Sequence, residues 1–239
     1  MRDLVVAAFV TMDGVMQSPG GPDEDPTGGF TQGGWGVSAW DDAMYAAITE
    51  LMTSPFELLL GRRTYEIFAA HWPHVLEEER AARGGTASEV DDPVAKALDT
   101  ATKWVASRTL DQLEWHNSRL LEGDVAAAVA ALKRQDGPRL VTQGSAELIQ
   151  TLLEHDLVDE VRVWTFPLVV GPGKRLFGRG AVPAAFRLAD ATTSSTGVIM
   201  ATYRRAGEIE RGSFEFDEPT PAELARRERL AAEDRAASG

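Results

Sequence analysis

The chain has 239 residues, 44% of them hydrophobic and 26% charged, with a formal net charge of -13. That length suits one generous domain, or one domain with a tail, around a sizeable core. The charge argues against nucleic acid or anionic membrane surfaces as partners, and the lack of cysteine excludes disulfides and thiolate metal sites.

Leu4 to Val10 is an apolar run that reads as a first, central strand, turning at Thr11-Met12-Asp13-Gly14. It is too short to span a membrane and has no small-residue cleavage pattern, so the expectation is a cytoplasmic protein without a signal peptide. Residues 11 to 40 form a glycine-rich loop with an acidic patch, Asp23-Glu24-Asp25, and three large aromatics, Phe30, Trp35 and Trp40. Aromatics are depleted in disordered segments, so the loop is expected to be an ordered lid or substrate loop. A static loop using both tryptophans as core plugs is the other reading. Asp41 or Asp42 can cap the next helix, whose buried stripe is Met44, Ile48, Leu51 and Met52.

Phe56 to Glu66 is the stretch around which the rest is organised. Leu58 to Leu60 are consecutively apolar, as a strand covered on both faces should be, and Gly61 allows a tight turn. Thr64 can cap the helix that follows. A helix start attracts anions, and Arg62 and Arg63 add forked donors suited to phosphate oxygens. Taken alone, these residues equally describe a capped helix with two solvated arginines. His71-Trp72-Pro73-His74 closes the unit, and its histidines suggest a metal only weakly.

Residues 76 to 92 read as a surface excursion, and Asp92-Pro93 opens a short helix. Lys103 to Ser107 is a strand ending at Arg108-Thr109, with a weak strand near Leu120. Asp124 caps a helix that stops before Gly137-Pro138. Arg139 to Gln143 is a strand that turns at Gly144-Ser145 into another helix, a second unit like that around Gly61. Val161 to Phe166 is a strand, and Phe186–Ala189 and Val198–Tyr203 read as an antiparallel pair across Gly197. The order implies an α/β fold, a mostly parallel sheet flanked by helices with antiparallel edge strands. Ligands of such sheets sit at the carboxyl ends of strands, where Gly61-Arg62, Ser107-Arg108 and Gly144-Ser145 fall. That coincidence puts a nucleotide site ahead of ordinary turns. From about Phe216 the chain is charged nearly all round and reads as a solvated helical extension, so the expected division is 1–206 and 207–239.

Five segments, in order, carry a resemblance to a known family: Thr11-Met12-Asp13-Gly14, Leu60 to Tyr65, Val105 to Leu110, Gln143-Gly144-Ser145, and Leu157 to Glu160 leading to Gly171-Pro172-Gly173. Over about residues 3 to 205 the chain resembles the dihydrofolate-reductase-like superfamily. Its nearest branch is the reductase domain of the riboflavin-biosynthesis deaminase-reductase, in a stand-alone form. The resemblance implies NADPH as cofactor and a homodimer. Gly61, Arg62, Arg63 and Thr64, with Thr11, would lie on the cofactor. Ser107 and Arg108 would take the adenosine ribose phosphate, and Gly144 and Ser145 would approach the pyrophosphate. Asp13, Trp35 and Trp40 would face the substrate, and Asp41 or Asp42 would stand where folate reductases place a catalytic carboxylate. N-capping explains those two aspartates equally well. No metal site is expected. The implied activity is reduction of a pterin-like or aminopyrimidine substrate, as by 5-amino-6-(5-phosphoribosylamino)uracil reductase. A non-catalytic nucleotide-binding module on the same scaffold is the alternative.

Overall fold

The computed structural model describes residues 1–82, 92–178, 181–214 and 218–237. Among them, eight strands form one sheet: β1 (Leu4–Thr11), β2 (Phe56–Gly61), β3 (Lys103–Ala106), β4 (Ser118–Leu120), β5 (Arg139–Thr142), β6 (Glu160–Phe166), β7 (Phe186–Thr193) and β8 (Ile199–Arg205). Their spatial order is β4-β3-β2-β5-β1-β6-β8-β7. The first six run parallel, β8 is antiparallel to β6, and β7 is antiparallel to β8. This is the mostly parallel sheet with an antiparallel edge that the sequence implies.

The helices are α1 (Asp42–Thr53), α2 (Arg62–Ala82), α3 (Pro93–Thr100), α4 (Val125–Arg134), α5 (Ala146–Glu154) and α6 (Pro221–Ala237). Met44, Ile48, Leu51 and Met52 of α1, Tyr65 of α2 and Leu98 of α3 pack on one face of the sheet. Val129 and Leu132 of α4 and Leu148, Ile149 and Leu152 of α5 pack on the other. β1 feeds both cores by alternation, Val5 and Ala7 to the first and Leu4, Val6, Ala8 and Val10 to the second. Each large aliphatic buried this way contributes about 1.5–3 kcal/mol relative to exposure.

Two local expectations change, the end of α2 and the role of Thr64. The helix α2 runs through Pro73 to Ala82 instead of closing at His74. The proline forfeits one backbone hydrogen bond, but Phe68 and Trp72 pack edge to face just before it and Leu76 is buried just after it. The expected excursion at 76–92 is therefore helical as far as Ala82, and 83–91 lies outside the described residues. Thr64 is the third residue of α2, not its cap. His71 and His74 join no metal cluster among the described residues, and His74 pairs with Glu77 at 3.1 Å.

The chain separates into two compact units, Met1–Gly207 and Glu208–Gly239. In the second, Thr220 Oγ1 accepts from the Glu223 N–H at 3.2 Å and caps α6. Glu223 accepts from Arg226 and Arg227, which hold its carboxyl down at about 2. No described residue of α6 is buried. No helix among the described residues is long and apolar enough to cross a membrane.

Candidate functional site

Because β3, β2, β5 and β1 are neighbours and parallel, their carboxyl ends bring four segments to one edge. In spatial order these are Ser107-Arg108, Gly61 to Thr64, Gly144-Ser145, and Thr11 to Asp13. The two central turns interlock. Gly61 N–H donates to the Gly144 carbonyl at 3.0 Å. A Cβ on Gly61 would overlap Ser145 Oγ and stand 2.9 Å from Ser145 N. A Cβ on Gly144, whose φ is +145°, would stand 2.7 Å from Thr64 Oγ1. These glycines are thus required by contact between the turns as well as by the turns themselves.

The helix starts along this edge differ chemically from the others. The helices α1, α3 and α4 are capped by the carboxylates of Asp41, Asp92 and Asp124, which accept from first-turn N–H groups. The helix α2 follows Gly61 directly, with no side chain to cap it. The cap residue of α5, Ser145, makes no side-chain capping bond. The first-turn N–H groups of α2 and α5 have no intrahelical acceptor, so two adjacent positive helix ends face the same edge without an acidic cap.

The arginines are in three different states. Arg62 pairs with Glu66 one turn along α2, both side chains exposed. Arg63 Nη1 donates to Thr27 Oγ1 at 3.1 Å and lies 3.7 Å from Asp25 Oδ1. Arg108 is exposed and forms no ion pair with any described residue. Ser107 Oγ accepts from the N–H groups of Thr109 and Leu110, at 3.1 and 2.9 Å, and so shapes the turn that presents Arg108.

Several candidates are instead structural. Thr11 is buried; its Oγ1 donates to Asp13 Oδ1 at 2.6 Å and accepts from Val15 N–H at 3.0 Å, which leaves no side-chain surface for a cofactor. Asp13 also accepts from the N–H groups of Val170 (3.3 Å) and Gly171 (3.0 Å), fastening the segment after β6 to the end of β1. The Thr11 hydroxyl, chiefly, holds its carboxyl below the usual range, against some burial and with help from those N–H groups. Asp41 is the cap of α1, accepting from Met44 N–H, and its other oxygen accepts from Ser195 N–H (2.8 Å) and Oγ (2.7 Å). The Ser195 hydroxyl and the Met44 N–H keep its carboxyl ionised below the usual range, so Asp41 is a poor proton donor. Asp42 stands exposed in the first turn of α1.

The two tryptophans of the loop divide in role. Trp35 is 8% exposed, donates from Nε1 to the Gln17 carbonyl at 2.7 Å, and sets its ring against Phe166 at 5.0 Å. It is a core plug and offers no face to a ligand. Trp40 is 39% exposed and leans edge-on against Phe9 at 5.5 Å, beside Trp164 at 6.0 Å. It remains available for stacking. The loop carries short 3₁₀ turns at Thr27–Gly29 and Val37–Ala39.

The family model of the RibD C-terminal domain matches residues 2–200. The chain belongs to the RibD C-terminal domain family. Among curated proteins it is 23% identical over 210 residues to the uncharacterized protein YyaP of Bacillus subtilis (strain 168), covering 86% of this chain and 96% of that one. Among solved structures, a putative riboflavin biosynthesis protein from Shewanella sp. PV-4 superposes with a TM-score of 0.54 at 19% identity, covering 85% of this chain and 99% of that one. The diaminohydroxyphosphoribosylaminopyrimidine deaminase/5-amino-6-(5-phosphoribosylamino)uracil reductase of Thermotoga maritima gives 0.53 at 14% identity, covering 86% of this chain and 57% of that one. These superpositions share the fold.

In this RibD C-terminal domain, sequence reasoning passed over Gln17, Lys174 and Ser195. Gln17 Nε2 donates to the carbonyls of Asp25 and Thr27, its Oε1 accepts from Lys174 N–H, and Lys174 Nζ donates to Asp25 and Thr27. The one sequence signal was the basic pair Lys174-Arg175 behind Gly171-Pro172-Gly173 in an acidic chain. A cleft of about 620 Å³ lies elsewhere, between α1 and the antiparallel strands, lined by Glu50, Arg162, Trp164, Asp190 and Arg204. Its wall is not the edge that carries the uncapped helix starts.

Proposed function

We propose that this chain is an NADPH-dependent reductase of a small heterocycle, pterin-like or a ribosylaminopyrimidine. The observation that carries the reading is the pair of interlocked turns at Gly61 and Gly144, with two helix starts free of acidic caps beside Arg62, Arg63 and Arg108. In a chain of net charge -13, three arginines gather on this edge, Arg62 and Arg63 beside carboxylates and Arg108 with no ion pair among the described residues. The residues present fit a dinucleotide phosphate. The first-turn N–H groups of α2 and α5, with Thr64 and Ser145, would hold the diphosphate. Arg108, without an ion pair among the described residues, would take the adenosine ribose phosphate. The bound cofactor would supply the hydride. Trp40, half-exposed beside Phe9 and Trp164, would stack on a flat ring and exclude water from it. The Thermotoga maritima protein is by name an aminouracil reductase, which is consistent with such a substrate.

A second reading has its own support. Of the two aspartates at the catalytic position, Asp41 has both carboxylate oxygens engaged within the fold, one by Met44 N–H and the other by Ser195. That favours a non-catalytic nucleotide-binding module. Incubation with NADPH and a panel of pterins and ribosylaminopyrimidines separates the two. Cofactor oxidation with any member supports the reductase, and tight NADPH binding without oxidation across the panel supports the module.

A further inference from the structure

Asp25 lies between two cations. Lys174 Nζ donates to its Oδ2, Arg63 Nη1 stands 3.7 Å from its Oδ1, and Thr27 Oγ1 accepts from both cations, at 2.8 Å from Lys174 and 3.1 Å from Arg63. Lys174 follows β6 and Arg63 follows β2, so the Asp25–Thr27 segment reaches between the two sides of the carboxyl edge, across the strands β5 and β1 that separate them. The carboxylate is covered, with 13% of its side chain exposed, whereas Arg63 and Lys174 are 47% and 38% exposed. The cations can thus be reached from solvent while the acid that neutralises them sits underneath.

The backbone at Asp25 is held independently of its carboxylate. Its carbonyl accepts from Gln17 Nε2 at 2.8 Å and Ser18 Oγ at 3.0 Å, and its N–H donates to Ser18 Oγ at 2.7 Å. Beyond Thr27, Gly28 and Gly29 have positive φ and open space around them. The carboxylate also accepts from Thr27 N–H at 3.2 Å and Thr27 Oγ1 at 2.5 Å. Swinging it off the cations therefore gives up those two bonds as well and frees the Thr27 hydroxyl to donate to a ligand, while the tip shifts at the glycines without unpinning the loop.

We propose that Arg63, Lys174 and the Thr27 hydroxyl form a subsite for a phosphate monoester or diphosphate, which Asp25 fills in the absence of ligand. This inference deepens the nucleotide reading above and rests on it for the source of the phosphate. A phosphate brings more charge and more acceptor oxygens than the carboxylate and displaces it. Asp25 then acts as a built-in competitor that sets the affinity of the site, and its release couples ligand arrival to movement of the loop.

The test titrates NADPH, ribose 5-phosphate and inorganic pyrophosphate into the wild type, Asp25→Asn, Arg63→Gln and the double variant, by tryptophan fluorescence and calorimetry. Removing the carboxylate that competes for these half-exposed cations should tighten a phosphate ligand roughly three- to five-fold. The gain should vanish when Arg63→Gln is added. Tightening for NADPH assigns the phosphate to the cofactor, and tightening for ribose 5-phosphate assigns it to the substrate. Tightening for pyrophosphate in a protein that binds no NADPH would keep the subsite and reject the nucleotide reading. Unchanged or weaker binding of all three by Asp25→Asn, or a gain that survives Arg63→Gln, overturns the proposal. Hydrogen exchange on the wild type gives an independent reading, because pyrophosphate should speed exchange at residues 25 to 29. Slower exchange there would contradict the latch even if Asp25→Asn folded poorly.

Discussion

Gly61 and Ser145 meet so closely that a methyl group on the first would overlap the hydroxyl of the second and stand 2.9 Å from its backbone nitrogen. Gly61→Ala should therefore cost about 1–3 kcal/mol by overpacking, read from urea denaturation, and should weaken NADPH binding. Adding Ser145→Gly removes the Oγ and Cβ contacts but leaves the backbone nitrogen in place, so rescue should be partial. Full stability in Gly61→Ala would show that the two turns are not locked together.

Trp35 and Trp40 should behave oppositely. Trp35→Ala removes a buried ring and its bond to the Gln17 carbonyl, and should cost about 3–5 kcal/mol while NADPH affinity stays near that of the wild type. Trp40→Ala removes a half-exposed ring and should cost only about 0.5–1.5 kcal/mol, while raising KM for the heterocycle. Denaturation midpoints and steady-state kinetics check both. Loss of substrate affinity from Trp35→Ala at unchanged stability would reverse the assignment.

The contrast between the tryptophans shows what was legible in the sequence. Apolar runs such as Leu58-Leu59-Leu60, punctuated by Gly61, marked the parallel strands because burial on both faces leaves a local signature. The ends of β1, β2, β3 and β5 then fell along one edge, and the candidate anion residues came with them. The partners of Asp13, Asp25 and Asp41 were invisible, since Gly171, Lys174 and Ser195 lie 149 to 158 positions away. An aspartate that caps a helix and one that donates a proton look alike until such contacts are known. Pro73 misled for a different reason: tertiary packing of Phe68, Trp72 and Leu76 outweighs its local cost.

Lys103 opens a test by pH. It is fully buried, donates from Nζ to the carbonyls of Asp99 (2.6 Å) and His116 (3.2 Å), and lies 4.0 Å from the Trp115 ring centroid. Burial brings its pKa down to about 8, partly opposed by Asp99. The unfolded chain keeps that proton up to about pH 10.4, so between the two values it binds more protons than the folded chain, and stability rises with pH. Unfolding midpoints of the wild type should therefore gain on those of Lys103→Met between about pH 7.5 and about pH 10. Parallel pH curves for the two proteins would rule out a depressed amine.

The strand β7 ends the sheet, and all of it after Phe186 is exposed, with Leu188 at 56%. An edge that long is an open template for pairing. We propose that a second copy of the chain covers it, with Arg187 and Asp190 supplying charges of both signs for a two-fold contact. Sedimentation at micromolar concentration should show a dimer, and Leu188→Lys should shift it to monomer with little change in unfolding midpoint. A wild type that sediments only as monomer contradicts this.

The central claim is that the uncapped helix starts and the arginines at the carboxyl edge hold the phosphates of NADPH. Its most direct test is titration of the wild type and Arg108→Gln with NADPH and NADH, followed by tryptophan fluorescence. One charge-assisted hydrogen bond is worth about 1.5–3 kcal/mol, so the wild type should prefer NADPH roughly ten- to a hundred-fold, and Arg108→Gln should lose most of that preference. Equal affinities of the wild type for the two cofactors would contradict the account.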